Sequence, residues 1–495
     1  MRVNIFVGLV VLGLGLYWLI PWIRKLNDKY IKGEFIVKKY PLKEIWSQII
    51  GNKEVLKRLL ITVTILILIR MAYHIPLPCI DTTPMRDFFS KHSTMSSSYP
   101  QIYVLNLGLL PFTGMCGLLL LFSIIIPPLR RNVFGGEKGR NKLIKHTLFG
   151  AAILAIFQSY SFMSYVFEQN LVTINGPYIN FIIISITTLL AGVFCLIVAA
   201  ETINRFGIGN GYALIISEAI LLGIISKLYK LQSLLPILMV LGILFVLGYF
   251  TRLIKPEEII NKKGEKTTLK FRLSWVGLGP LLLASTIIMP LYTLTHFWNA
   301  RWISHYYIFD ILTALLIIPT TFLYSSIVFD PQYVSKLLNK YGYSFANNPK
   351  ELTPSRYLEK TVLKVLPITA VLLCLGYMLP KLLVHTKLYS GSTMVVVIGG
   401  RLGLWGLTGA FLDLLDQLEF FHKKKLAGIK EWGICYVAQD EIEASIKSGY
   451  LRSQEIKALV KPYRYTWGLP IRTMVDKYEI YVPQERVQKA RELIV

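Results

Sequence analysis

"NRFGIGNGYALII", residues 204–216, sets glycine at Gly207, Gly209 and Gly211 between two apolar runs, with Arg205 as the one charge in the stretch. Glycine reaches positive φ without the Cβ penalty, so alternate glycines let a chain reverse sharply or let another backbone come close. A dinucleotide-cradling loop needs a strand before it and a different glycine spacing, whereas Val193 to Ala200 reads as helix of the lipid phase. The stretch therefore reads as a tight connection between two membrane-crossing helices, with Asn210 placed to cap the second through its side-chain oxygen.

Composition supports that reading. The chain has 495 residues, 54% of them hydrophobic and 17% charged, with mean hydropathy +0.51. This is too apolar for one soluble core and too long for a single span, so a polytopic membrane protein is expected. The net charge of +25 is then a property of cytoplasmic loops rather than of a nucleic-acid surface. Cys79, Cys116, Cys195, Cys374 and Cys435 stand far apart, with no CxxC pair, and the seven histidines are equally scattered. No catalytic constellation, metal site or cofactor site is expected.

A bilayer core of roughly 30 Å takes about 20 apolar residues in a helix. The first such run, Val3 to Trp22, has no small-residue cleavage pattern and its positive cluster follows it, so it reads as a retained anchor. Ten more runs are expected near Leu59–Ile75, Val104–Ile126, Leu148–Phe167, Ile179–Ala200, Tyr212–Ile225, Leu235–Phe250, Val276–Leu294, Ile308–Phe329, Val362–Met378 and Met394–Phe411. Segments 24–58, 130–145, 251–272 and 334–364 are rich in lysine and arginine and fall on one side if every run crosses. That side is cytoplasmic, and the glycine turn lies on it.

Two spans open alike: "LGLLPFTG" carries Gly108 and Pro111, and "VGLGPLLLAS" carries Gly277 and Pro280. Paired interruptions about half a chain apart point to two structural repeats, and five spans per half makes them inverted. Between the first two core spans, "HIPLPCIDTTPMRDFFSKHSTMSSSYPQIYV" is a long outer segment that is either solvated or folded back into the interior. Of the ionisable groups near the spans, Arg70, Glu201, Glu218, Asp310 and Arg401, Arg70 reads as the true intramembrane charge.

Six fragments in order carry a family resemblance: "RLLITVTILILIRMAYHIPLPCID", "LNLGLLPF", "GGEKGRNKLIKHTLFGAAILAIFQS", "NRFGIGNGYALII", "LKFRLSWVGLGPLLLASTIIMP" and "YSSIVFDPQYVSKLL". From about Leu59 to about Leu415 the chain resembles the SecY family, central subunits of the bacterial protein-conducting channel. The resemblance implies an all-α core of ten spans, in two inverted five-helix halves around an hourglass pore, with a lateral gate and with Thr82 to Tyr103 as plug. By matching motifs, the pore ring falls on Leu109, Thr113, Tyr212, Ile216, Leu282 and Val396. Such a ring of mostly branched apolar side chains gates by dewetting, without catalysis. Thr113 and Tyr212 depart from the family's aliphatic pattern.

The resemblance also implies partners: SecE-like and SecG-like small membrane subunits, the motor ATPase SecA or the ribosome, secretory and membrane polypeptides as substrates, and the lipid bilayer of the plasma (inner) membrane. The docking loops would be Thr251–Trp275 and Asp330–Lys364, with Arg252, Lys262, Lys263, Lys350 and Arg356. Where the family carries an arginine near the second loop tip, "FANNPKELTP" offers only Lys350, which lacks the planar fork.

The expected divisions are 1–58, an extra anchor and basic linker; 59–230, the first half with the plug; 231–415, the second half; and 416–495, a linker and a small cytoplasmic domain. In that tail "GICYVAQ" alternates as a strand, "DEIEASIKSGYLRS" reads as an amphipathic helix and "EIYVPQERVQKARELI" as a strand entering a helix. Together they suggest an α+β module of the ferredoxin-like sort. The rival to a channel is a secondary solute transporter, which also uses inverted halves and broken spans.

Overall fold

Asn52 starts the first described helix: its Oδ1 accepts the N–H of Glu54 at 3.0 Å, and α1 (Lys53–Ala72) follows. The computed structural model describes residues 36–37, 51–78, 80–81, 102–134, 136–168, 170, 172–174, 177–218, 248, 252–261, 264, 266–272, 276–277, 279–281, 283–285, 287–288, 306–346, 352–385, 391–429, 431–438, 440–463 and 477–494. The Val3–Trp22 anchor, the run Leu235–Phe250 apart from Gly248, and most of the plug segment lie outside these residues.

The helices that follow are α2 (Leu110–Ile125), α3 (Pro127–Phe134), α4 (Gly136–Glu168), α5 (Tyr178–Phe206), α6 (Tyr306–Val328), α7 (Pro331–Lys340), α8 (Pro354–His385) and α9 (Gly391–Leu426), of which α3 and α7 are short. Among the described residues four helical stretches are long and apolar enough to cross a membrane: Lys142–Glu168, Tyr178–Phe206, Ile311–Lys340 and Pro354–Met378. Their outer faces carry exposed large apolar side chains, including Phe149, Ile153 and Phe157 on α4 and Ile311, Leu315 and Ile318 on α6. Stripes of this size on a soluble protein would mark an interface; on helices of this length they face lipid.

The span expected from Val104 starts later. Residues 104–109 form turns, Gly108 sits at φ 56°, and Pro111 occupies the first turn of α2. Proline is tolerated there because its missing N–H has no intrahelical acceptor. Gly277 has φ 60°, and Pro280 lies in the helical residues that follow. The two Gly-x-x-Pro segments thus share one device, a left-handed glycine that turns the chain into a helix.

On the polar side the connections fold into strands: β1 (Ile36–Val37), β4 (Leu253–Asn261), β5 (Lys266–Arg272) and β6 (Tyr343–Phe345) form one sheet, every pairing on β4 and all antiparallel. A two-residue pairing joins β2 (Ile80–Asp81) to β3 (Thr173–Ile174). α9 runs 36 residues, roughly 54 Å at 1.5 Å per residue, so it outreaches the bilayer core and continues beyond Leu415 without a break.

After α9 come β7 (Trp432–Ala438), α10 (Glu441–Ser453), β8 (Leu459–Tyr463), β9 (Lys477–Pro483) and α11 (Val487–Ile494). The sheet order is β7-β9-β8, antiparallel at both pairings, so β7 and β8 run parallel with β9 between them and α10 joining them. Ile442, Ile446 and Leu451 of α10 are buried with Ile480 and Val482 of β9. This core is continuous with Ile259, Leu269, Phe271 and Leu338 of the loop sheet and α7.

Candidate functional site

The glycine turn is enclosed from three directions. Gly209 has φ 91°, a conformation that L side chains rarely adopt, and Gly211 lies so close to the carbonyl of Ala200 that a Cβ has no room. Asn210 is fully buried, and its Oδ1 accepts the N–H of Ala213 at 3.3 Å, the capping bond of helical residues 211–218. From α5, Asn204 Oδ1 accepts the N–H of Gly211 at 2.7 Å.

From α1, the Thr62 hydroxyl accepts the N–H of Ile208 at 2.8 Å, and Arg58 donates to the carbonyl of Gly207 at 3.4 Å. From α9, more than two hundred residues away in sequence, Gln417 Oε1 accepts the N–H of Gly209 at 2.9 Å. Thr62 and Gln417 were not singled out in the sequence. A lone polar residue in an apolar or charged helix gives no signal until the fold brings its partner near.

Of the six ring positions, Leu109 is buried at the N-terminus of α2 and Thr113 one turn on. The Thr113 hydroxyl donates back into its own helix, 3.1 Å from the Leu109 carbonyl, so the side chain asks for no outside partner. Tyr212 is buried and stacks on Phe112 at 5.2 Å and 12°, while its hydroxyl donates to Glu201 Oε1 at 3.0 Å. Ile216 is half-buried against the same core. The Phe112–Tyr212 stack thus sets the first turn of α2 against the first turn of residues 211–218. Leu282 lies outside the described residues, though its neighbours Leu281 and Leu283 are buried, and the side chain of Val396 on α9 lies outside them as well.

A cavity of about 1120 Å³ opens where α3 faces α6, α7 and α8, lined by Pro127, Phe322, Ser325, Asp330, Arg356 and Leu366 among others. Arg356, expected on a docking loop, lines this cavity. Arg252 is half-buried and donates to the carbonyl of Gly248 at 3.1 Å, while Lys262, Lys263 and Lys350 lie outside the described residues. On β4, Lys255 pairs with Glu257 at 3.6 Å, both buried, and Tyr357 of α8 donates to Glu257 at 2.7 Å. Among the described residues no group of three or more His, Cys, Asp or Glu is placed to hold a metal ion.

The model of the SecY family matches residues 104–404. The chain belongs to the SecY family. Curated relatives are the protein translocase subunit SecY of Rickettsia typhi, 24% identical over 75% of this chain and 94% of the relative, and that of Aquifex aeolicus, 23% identical over 74% and 95%. Among solved structures, a SecY channel described for its plug domain, which stabilises the closed state, aligns with TM-score 0.53 and 14% identity over 80% of this chain and 96% of that one. A second protein-conducting channel aligns at TM-score 0.50 and 14% identity, over 77% and 94%. The family chain is a membrane protein of SecY-like, mostly helical fold, and the match favours the channel over the solute transporter.

Proposed function

We propose that this chain is the channel-forming subunit of a protein translocase, passing secretory polypeptides across a membrane and releasing membrane segments sideways into lipid. The observation that carries the reading is the family match on 104–404, a stretch that also holds Leu109 and Thr113 on either side of Phe112, whose ring stacks on Tyr212. Branched apolar side chains at a constriction exclude water yet yield to a passing chain, so gating needs no catalytic group.

In this reading the core has ten spans in two inverted five-helix halves, 59–230 and 231–415. The shared glycine devices at Gly108 and Gly277 support the repeat. Thr82 to Tyr103 serves as plug, and the six ring positions close the pore. The cavity between α3 and α6 to α8 is the cytoplasmic mouth of the lateral gate. The N-terminal run 1–58 adds an anchor and a basic linker. The 416–495 unit is a linker and a small cytoplasmic α+β module of the ferredoxin-like sort, a reading supported by the order β7-β9-β8 with β7 and β8 parallel.

SecE-like and SecG-like subunits complete the assembly in the plasma membrane, with SecA or the ribosome on the loop face. Purified chain in vesicles, supplied with a SecE-like subunit, a motor and a secretory precursor, should protect the precursor from added protease when ATP is present. Equal protection without ATP, or none with a precursor that a known translocon accepts, would contradict the proposal.

A further inference from the structure

The C-terminal unit lies outside the 104–404 match, yet it does not hang free. On one side it is seated on the second half. Tyr341, at the end of α7, donates to the carbonyl of Ile494 at 3.1 Å in a buried bond, and its ring lies 4.9 Å from that of Tyr450. Asn261 Nδ2 donates to Ser453 Oγ at 3.4 Å. Gly449 of α10 packs so closely on β5 and β6 that a Cβ would stand 3.0 Å from the Thr267 methyl and 3.3 Å from the Tyr343 hydroxyl.

On the other side the same unit reaches the first half through the end of α9. Leu412, Leu415, Leu418, Phe420 and Phe421 form one buried cluster with Val55 of α1 and Ile208 of the glycine turn. Leu459 and Tyr481 of the C-terminal sheet pack on this cluster. Lys424 lies 3.9 Å from Glu54, and the Arg58 guanidinium sits 5.7 Å over the Phe421 ring. The N-terminal linker adds a second tie, since β1 pairs with β4 of the second half before the chain enters α1 of the first.

At the other end of α7 the contact between halves is of another kind. The cavity where α3 faces α6 to α8 is open, with Pro127 on one wall and Gln332 on the other, both exposed. One contact between the halves is therefore filled with buried apolar and hydrogen-bonded groups, and another holds a gap.

We propose that the C-terminal unit, together with the cytoplasmic end of α9, is a brace that pins the two halves at the α1 and glycine-turn side and so sets the resting width of the α3–α6 gap. The proposal rests on the two-halved channel reading given above. A packed interface with interdigitated side chains has few intermediate arrangements. Widening the gap must then pivot on the brace or displace it.

The test uses the full chain in lipid nanodiscs and vesicles, with spin labels on non-cysteine handles at Pro127 and Gln332, because Cys195 is exposed. Gly449→Leu drives α10 off β5 and β6; Tyr341→Phe removes one buried bond and keeps the ring. Hydrogen exchange over β5 and β6 reports whether the unit has moved. The brace predicts that Gly449→Leu speeds that exchange at least tenfold, broadens the Pro127–Gln332 distance distribution and raises ion leak several-fold, with Tyr341→Phe smaller in the same direction. Fast exchange with unchanged distances and leak overturns the brace, and so does Gly449→Leu with β5 and β6 still protected. Because the distance readout needs no substrate, a brace that holds in a chain unable to pass polypeptide would sink the channel reading alone.

Discussion

The N–H of Gly209 donates to Oε1 of Gln417 at 2.9 Å, joining the glycine turn after α5 to the long helix α9, 208 residues on. Both groups are buried, so the bond is judged by the penalty for leaving the amide without a partner. Gln417→Leu should destabilise the chain by about 1–3 kcal/mol. Resistance to pulse proteolysis in denaturant measures it; Gln417→Glu, which keeps the acceptor, should lose less if the local charge is tolerated.

Two glycines of the turn, Gly209 and Gly211, are required for different reasons. Gly209→Ala places a Cβ residue at φ 91°, and Gly211→Ala drives a methyl into the Ala200 carbonyl. Each should cost about 1–3 kcal/mol and lower the folded yield. Gly264→Ala is the control: it shares a positive φ but has open space around it, and it should cost about 1 kcal/mol. Yields of folded protein from membranes, compared across the three, check the ranking.

Inside α10, Glu443 and Lys447 are paired at 3.1 Å, both almost fully buried, with Tyr436 donating to Glu443 and the Lys447 ammonium 3.4 Å from the Tyr436 ring centroid. Removing one partner leaves a buried charge uncompensated, so Glu443→Ala should cost about 3–5 kcal/mol. Replacing both by leucine should be far milder. Protease accessibility of 431–495 in the intact chain separates the two cases.

The C-terminal unit should also respond to pH. Burial pushes the carboxyl of Asp440 up to about 7, against the Glu443 N–H, 2.6 Å away, which favours its charged form. Between the ordinary carboxylate range and that value the folded unit holds a proton that the unfolded chain has released. Its stability therefore falls as pH rises through this window and levels off above it. Asp440→Asn keeps a capping oxygen and loses the proton, so the slope should flatten; denaturant midpoints from about pH 4 to about pH 8 decide it.

The long helices were legible because twenty apolar residues in a row admit few other fates, and the α10 and β9 patterns were legible for the same reason of period. The start of α2 was not: Val104 to Leu109 are apolar enough for a span, but the left-handed Gly108 and Pro111 move the helix start to Leu110. What the sequence could not disclose was long-range pairing. Gln417 meets Gly209, and Ile494 meets Tyr341, only once the last helix extends past the membrane and the C-terminal sheet folds back on the loops.

Ile216 lies half-buried beside Tyr212, on the wall of the proposed constriction. A photoreactive residue there, in native membranes supplied with a stalled secretory chain, tests the channel most directly. The account predicts crosslinks to the chain that vanish when its signal sequence is deleted. No crosslink, in membranes where the same probe on a known translocon succeeds, would contradict a polypeptide path past Leu109, Thr113 and Ile216.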